Sequence, residues 1–126
     1  MPVESIGGFF FRAHDPEALS RWYAEVLEVG PGLGPAAGVR DAPFWNPGAG
    51  GVLFQPFPET TDYFAPDRRF MLNFRVTDLS GLIRDLTARG IAVETRSEWD
   101  DPGYGRFARI HDPEGNPIEL WEPPRE

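Results

Sequence analysis

Few side chains in this sequence are suited to chemistry. Two histidines stand in the same tetrapeptide, His14-Asp15-Pro16-Glu17 and His111-Asp112-Pro113-Glu114. Histidine titrates near neutrality and ligates metals, so the pair reads either as an acid/base or metal pair or as two Asp-Pro turns that happen to follow a histidine. Glu119 lies in the run Pro117-Ile118-Glu119-Leu120-Trp121, where a carboxylate is either a general base or the structural partner of Arg12, Arg75 or Asn73. An acidic cluster, Glu98, Asp100 and Asp101, precedes Tyr104-Gly105-Arg106 and reads as a solvated loop that could also rim a pocket. No cysteine is present, which excludes disulfides, zinc-thiolate sites and a cysteine nucleophile. There is no phosphate loop, no nucleophile elbow, no HExxH and no dinucleotide fingerprint.

The elements that must position these residues come in duplicate. Phe11-Arg12-Ala13-His14-Asp15 and Phe74-Arg75-Val76-Thr77-Asp78 both read F-R-x-x-D, offset by half the chain, and the same offset lays Leu19 on Leu82 and Arg21 on Arg84. A second echo closes each half, Leu53-Phe54-Gln55-Pro56 against Leu120-Trp121-Glu122-Pro123. In the first half Asp15-Pro16-Glu17 supplies an N-cap, a first-turn proline and an acidic first turn. Leu19, Trp22, Tyr23, Val26 and Leu27 then form an apolar helix face ending near Gly30. In the second half Leu72, Phe74 and Val76 alternate with Asn73 and Arg75 as a half-buried strand. Asp78 or Ser80 caps a helix carrying Leu79, Leu82, Ile83 and Leu86, and Gly90 suits its stop.

Short strands follow each helix, at 43–46 and 51–57 in the first half and at 91–96, 104–111 and 117–122 in the second. Asp112-Pro113-Glu114-Gly115 fits a type I turn joining the last two as a hairpin. The expected fold is therefore α+β: two tandem βαβββ modules, about 1–57 and 70–126, joined by a linker 58–69, within one domain. The Gly/Pro-rich stretch 30–51 reads as a long loop able to cover a pocket.

Period-2 alternation assigns the strand faces. Phe9, Phe11, Ala13, Ile118 and Leu120 are expected toward the helices. The opposite face collects Phe10, Phe54, Met71 and Trp121 with Asn73, Glu119 and the arginines Arg12 and Arg75; Trp45 lies in the covering loop. An apolar surface with a few polar groups is the usual makeup of a small-molecule site, although an aromatic sheet face can equally be core or dimer interface.

The chain has 126 residues, 40% hydrophobic and 25% charged, with a net charge of −8 carried against arginines alone. That balance argues against nucleic acid as a partner and is compatible with a cationic or neutral small ligand. No apolar run approaches a membrane span and the N-terminus lacks a signal-peptide plan, so a cytoplasmic protein is expected.

The two modules, Asp15-Pro16-Glu17 followed by Trp22-Tyr23, and the ending Asp112-Pro113-Glu114-Gly115-Asn116-Pro117-Ile118-Glu119-Leu120 resemble the vicinal oxygen chelate superfamily of glyoxalases, bleomycin-resistance proteins and extradiol dioxygenases. The stretches Met71 to Val76 and Tyr104 to Phe107 resemble its bacterial glyoxalase-like branch. The resemblance implies curved mixed sheets forming a cup, usually in a homodimer. Metal-using members carry one ligand at each of four positions, which here are Gly8, Val52, Met71 and Glu119. Only Glu119 offers a hard donor, so neither metal nor other cofactor is expected.

Two functions remain open. One is a metal-independent small-molecule-binding protein, antibiotic-sequestering like the bleomycin-resistance relatives, with Trp45, Phe54 and Trp121 stacking on the ligand and Asn73 and Glu119 orienting it. The other is a lyase or isomerase acting next to a carbonyl, with Glu119 as catalytic base and Asn73 or Arg75 stabilising an oxyanion.

Overall fold

In a computed structural model, residues 9, 11, 13–29 and 57–124 are described. Helix α1 (Pro16–Leu27) begins where the sequence places its cap: the Asp15 side chain accepts from the Ala18 amide, and Pro16 takes the first helical position. It ends earlier than Gly30, at Glu28, which adopts φ 57 and lets its own N–H reach the Ala24 and Tyr23 carbonyls. Asp78 rather than Ser80 caps α2 (Leu79–Ala88), its carboxylate accepting from the Gly81 amide. Gly90 follows the last turn with φ 79.

Strand β1 (Leu72–Arg75) runs parallel to β3 (Pro117–Glu122), and β2 (Arg106–His111) runs antiparallel to it, so the order is β1-β3-β2. The fold is thus α+β, the described residues forming a small open mixed sheet with two helices. The strand expected at 91–96 contracts to a single bridge between Glu94 and Arg109, because the chain turns off into a short 3-10 turn, Ser97–Trp99. The strand expected at 43–46, all but the last residue of the one at 51–57, and most of the first strand, which carries Phe9, Phe11 and Ala13, lie outside the described residues.

The sheet's helix-facing side carries Ala108, Ile110, Ile118 and Leu120, which pack with Leu19 and Tyr23 of α1 and Leu79 and Leu86 of α2. Full burial of each aliphatic chain contributes roughly 1.5–3 kcal/mol. Phe9 and Phe11, expected under the helix, meet Phe70, and Phe11 also meets Tyr23, yet both stay exposed.

The hairpin between β2 and β3 is the clip that holds α1. Gly115 N–H closes the turn onto the Asp112 carbonyl at 2.9 Å, as the Asp-Pro-Glu-Gly pattern predicts. The buried Asp112 carboxylate accepts from the Tyr23 hydroxyl at 2.7 Å, the Asn116 side-chain amide at 2.7 Å, and the Glu114 and Asn116 backbone amides at 2.9 Å each. Burial, then the hydrogen bond to Asp112 and its charge, push the Tyr23 phenol far up, so it remains a donor. The Glu114 carboxylate accepts the backbone amides of His14 and Asp15 at 2.5 and 2.9 Å. The two His-Asp-Pro-Glu tetrapeptides therefore meet, but through main-chain amides rather than imidazoles.

Candidate functional site

The same alternation that commits Leu72, Phe74, Ala108, Ile110, Ile118 and Leu120 to the helix side sends their neighbours to the opposite face. Asn73 is the parallel partner of Glu119, and Glu119 the antiparallel partner of Arg109. Beyond Arg109 the rung continues to Glu94, joined by two backbone hydrogen bonds of 2.8 Å. The next rung is Arg75, Trp121 and Phe107.

Glu119 is 8% exposed, and each of its oxygens has a donor: Asn73 Nδ2 to Oε1 at 2.7 Å, and the Tyr63 hydroxyl to Oε2. Tyr63 reaches it from the segment between the two halves. Burial first, then the hydrogen bond to Glu119 and its charge, push the Tyr63 phenol far up, against a smaller opposite pull from Arg109. Tyr63 thus stays protonated and donating across the neutral range.

Arg109 is 5% exposed. Its guanidinium lies over the Tyr63 ring, 4.7 Å from the centroid, and over the Trp99 ring at 5.3 Å, while the two rings meet edge to face at 5.6 Å. Among the described residues nothing accepts a hydrogen bond from its Nε or Nη2. Trp99 is set in place by the 3-10 turn, with Arg96 stacked over its ring at 5.4 Å and paired to Glu94 at 2.7 Å. On the second rung Arg75 lies over Trp121 at 5.4 Å, and Phe107 stacks on it, 6.3 Å away and 3° from parallel. Trp121 is anchored by its Nε1–H, which donates to the Tyr104 carbonyl at 2.6 Å. That anchor depends on Gly105, at φ 117, where any Cβ would run into the Glu122 carbonyl.

The face therefore brings together Asn73, Arg75, Glu119 and Trp121 of the expected residues. Met71 directly precedes β1. Phe10, Arg12, Trp45 and Phe54 lie outside the described residues. Tyr63, Trp99, Phe107 and Arg109 were not foreseen. Arg109 was legible, since it stands between apolar Ala108 and Ile110 and so must face away from the helices. Tyr63 and Trp99 carry no such signal, because one lies in an apparent linker and the other in an apparent acidic loop. Two acidic residues of that loop serve the backbone, Asp100 accepting from the Phe107 amide at 3.1 Å and Asp101 from Gly103 at 2.6 Å, while the exposed Glu98 lies 3.8 Å from Arg96.

A divalent cation as in metal-using relatives needs three or four hard ligands. Gly8 and Val52 have no side-chain donor, Met71 offers a soft thioether, and the strand partner of Glu119 is a guanidinium, itself a cation. Among the described residues no three of His, Cys, Asp and Glu gather as a metal site. The donor set does not fit the ion. Chemically the face offers aromatic planes, a clamped carboxylate acceptor and a buried cation.

A family model described as a glyoxalase-like domain matches residues 8–121. Among solved structures the chain is similar to the crystal structure of TnmS3, an antibiotic binding protein from Streptomyces sp. CB03234, with 27% sequence identity and a TM-score of 0.58 over 98% of each chain. No curated protein matches the chain. No helix among the described residues is long and apolar enough to cross a membrane.

Proposed function

The chain belongs to the family of glyoxalase-like domains, within the vicinal oxygen chelate superfamily, and from that premise we propose that it is a metal-independent binding protein that sequesters a small aromatic molecule of the antibiotic class. The carrying observation is the clamped Glu119: both of its oxygens already accept hydrogen bonds, from Tyr63 and Asn73, on a face floored by Trp121 and Phe107. A carboxylate held by one donor on each oxygen is fixed in orientation and keeps a further lone pair on each oxygen with which to position a ligand. An antibiotic-binding structural relative at 27% identity supports the same reading.

The finer organisation belongs to this proposal: modules 1–57 and 70–126 with the linker 58–69, sheets curving into a cup, a homodimer, and a cytoplasmic location where an intercepted drug would be met. Phe10, Arg12, Trp45, Phe54, Met71 and Arg75 complete the lining in this reading.

The test incubates purified protein with a panel of aromatic antibiotics, reading affinity by calorimetry and ligand mass after release. The expected result is saturable binding with the ligand recovered unaltered, and Glu119→Gln changing affinity alone. Ligand converted to product by the native protein, with turnover lost in Glu119→Gln, would contradict it and establish the lyase or isomerase instead.

A further inference from the structure

Arg109 presents a problem that the binding reading alone does not solve. A guanidinium that is 5% exposed should be paired, because a buried charge left unsatisfied costs several kcal/mol. Its rung places a glutamate on either side, yet each is engaged elsewhere. Glu119 is held by Tyr63 and Asn73, and Glu94 by Arg96 at 2.7 Å. The ion pairs found among the described residues are both made by Arg96. Arg109 lies over the ring faces of Tyr63 and Trp99, and its charge and a hydrogen bond also pull on the Tyr63 hydroxyl, which leaves the Nε and Nη2 donors unspent. A cation over a ring face is attracted by the ring's quadrupole and consumes no N–H donor.

The two atoms without an acceptor are Nε and Nη2. In a guanidinium these form a single edge, whose N–H bonds run side by side at the spacing of the two oxygens of a carboxylate or phosphate. One whole fork of Arg109 is therefore intact and unused, beside the rings of Tyr63 and Trp99.

Resting on the binding reading, we infer that this edge is the receptor for an acidic group on the ligand: the site takes an aromatic molecule bearing a carboxylate or an equivalent oxyanion. The ligand's rings lie against the aromatic side chains, and its two oxygens engage Nε–H and Nη2–H together. The inference reverses the polarity that composition suggested. A chain of net charge −8 repels anions at long range, so selection here is local and short-ranged.

The test uses matched probes, 1-naphthoate and 1-naphthamide, titrated into the full chain by calorimetry and by NMR, alongside the antibiotic panel. Naphthoate is expected to bind roughly tenfold to hundredfold more tightly than the amide, the worth of charge-assisted hydrogen bonds. Arg109→Lys keeps the charge but not the fork, and Arg109→Gln removes both. Each is expected to erase most of the preference, with amide spectra confirming that the variants are folded. Because the preference is measured first in the native protein, a variant that fails to fold does not spoil the test. Equal binding of the two probes, with panel antibiotics still bound, would overturn the acidic-ligand inference and leave the binding function standing. No binding of any probe or antibiotic would overturn both.

Discussion

Two buried polar clusters in this molecule are built from the same three parts. At the β2–β3 hairpin, Asp112 accepts from a tyrosine hydroxyl, Tyr23, and from an asparagine amide, Asn116. On the outer sheet face, Glu119 accepts from a tyrosine hydroxyl, Tyr63, and from an asparagine amide, Asn73. What separates them is what else is present. Asp112 is completed by two backbone amides, and its neighbourhood closes on itself. Glu119 has Arg109 beside it in the sheet, buried and with one edge unspent. A satisfied network fixes a fold; one with surplus donors is waiting for something to bind. The hairpin cluster is accordingly the anchor of α1, and the sheet-face cluster is the site we propose.

The largest effect expected from this contrast is on stability. Asp112→Ala strands the Tyr23 hydroxyl, the Asn116 amide and two backbone N–H groups at once, and should cost about 3–5 kcal/mol in urea unfolding. A loss under 1 kcal/mol would break the comparison. Next, the two tyrosines should separate. Tyr23→Phe should destabilise by roughly 1–3 kcal/mol without altering the affinity of a bound ligand. Tyr63→Phe should weaken ligand binding by about tenfold, because it frees Glu119 to move. If both variants shift the same observable, the division into anchor and site is wrong.

A smaller effect concerns pH. Burial and a carboxylate partner raise both Tyr23 and Tyr63 in the folded state. A raised folded value contributes stability that is fully present below the unfolded tyrosine value, about pH 10, and is lost as pH rises past it. Stability should therefore be insensitive to these groups at neutral pH and fall on alkaline titration. Phenolate absorbance of these two rings should appear together with loss of near-ultraviolet dichroism, not before it. The smallest effect is none: dialysis against EDTA should leave both melting temperature and ligand affinity unchanged, as a site with a single hard ligand requires.

Much of this fold can be read from residue order because the signals are local. Asp15-Pro16 and Asp78 begin helices through their own side chains, and Asp112-Pro113-Glu114-Gly115 closes its turn within four residues. Alternation in 72–75 and 117–122 identified which residues face the helices, and hence Asn73, Glu119 and Trp121 on the other side. The rest is a matter of distance along the chain. Tyr63 meets Glu119 across 56 residues, and Trp99 is delivered to Arg109 by a 3-10 turn that follows the expected strand 91–96. No periodicity encodes either meeting. The paired His-Asp-Pro-Glu motifs gave a strong local signal for something else: a glutamate of one holding the backbone of the other.

The central claim is that Arg109 is retained for its ligand and not for the fold, and Arg109→Met tests it most directly when unfolding free energy and carboxylate affinity are measured on the same preparation. Replacing the guanidinium by an apolar chain of similar reach removes two unpaired buried donors and should change stability by no more than about 1 kcal/mol, while affinity for an aromatic carboxylate falls at least tenfold. A variant that loses several kcal/mol of stability, yet binds the carboxylate as before, would contradict the account.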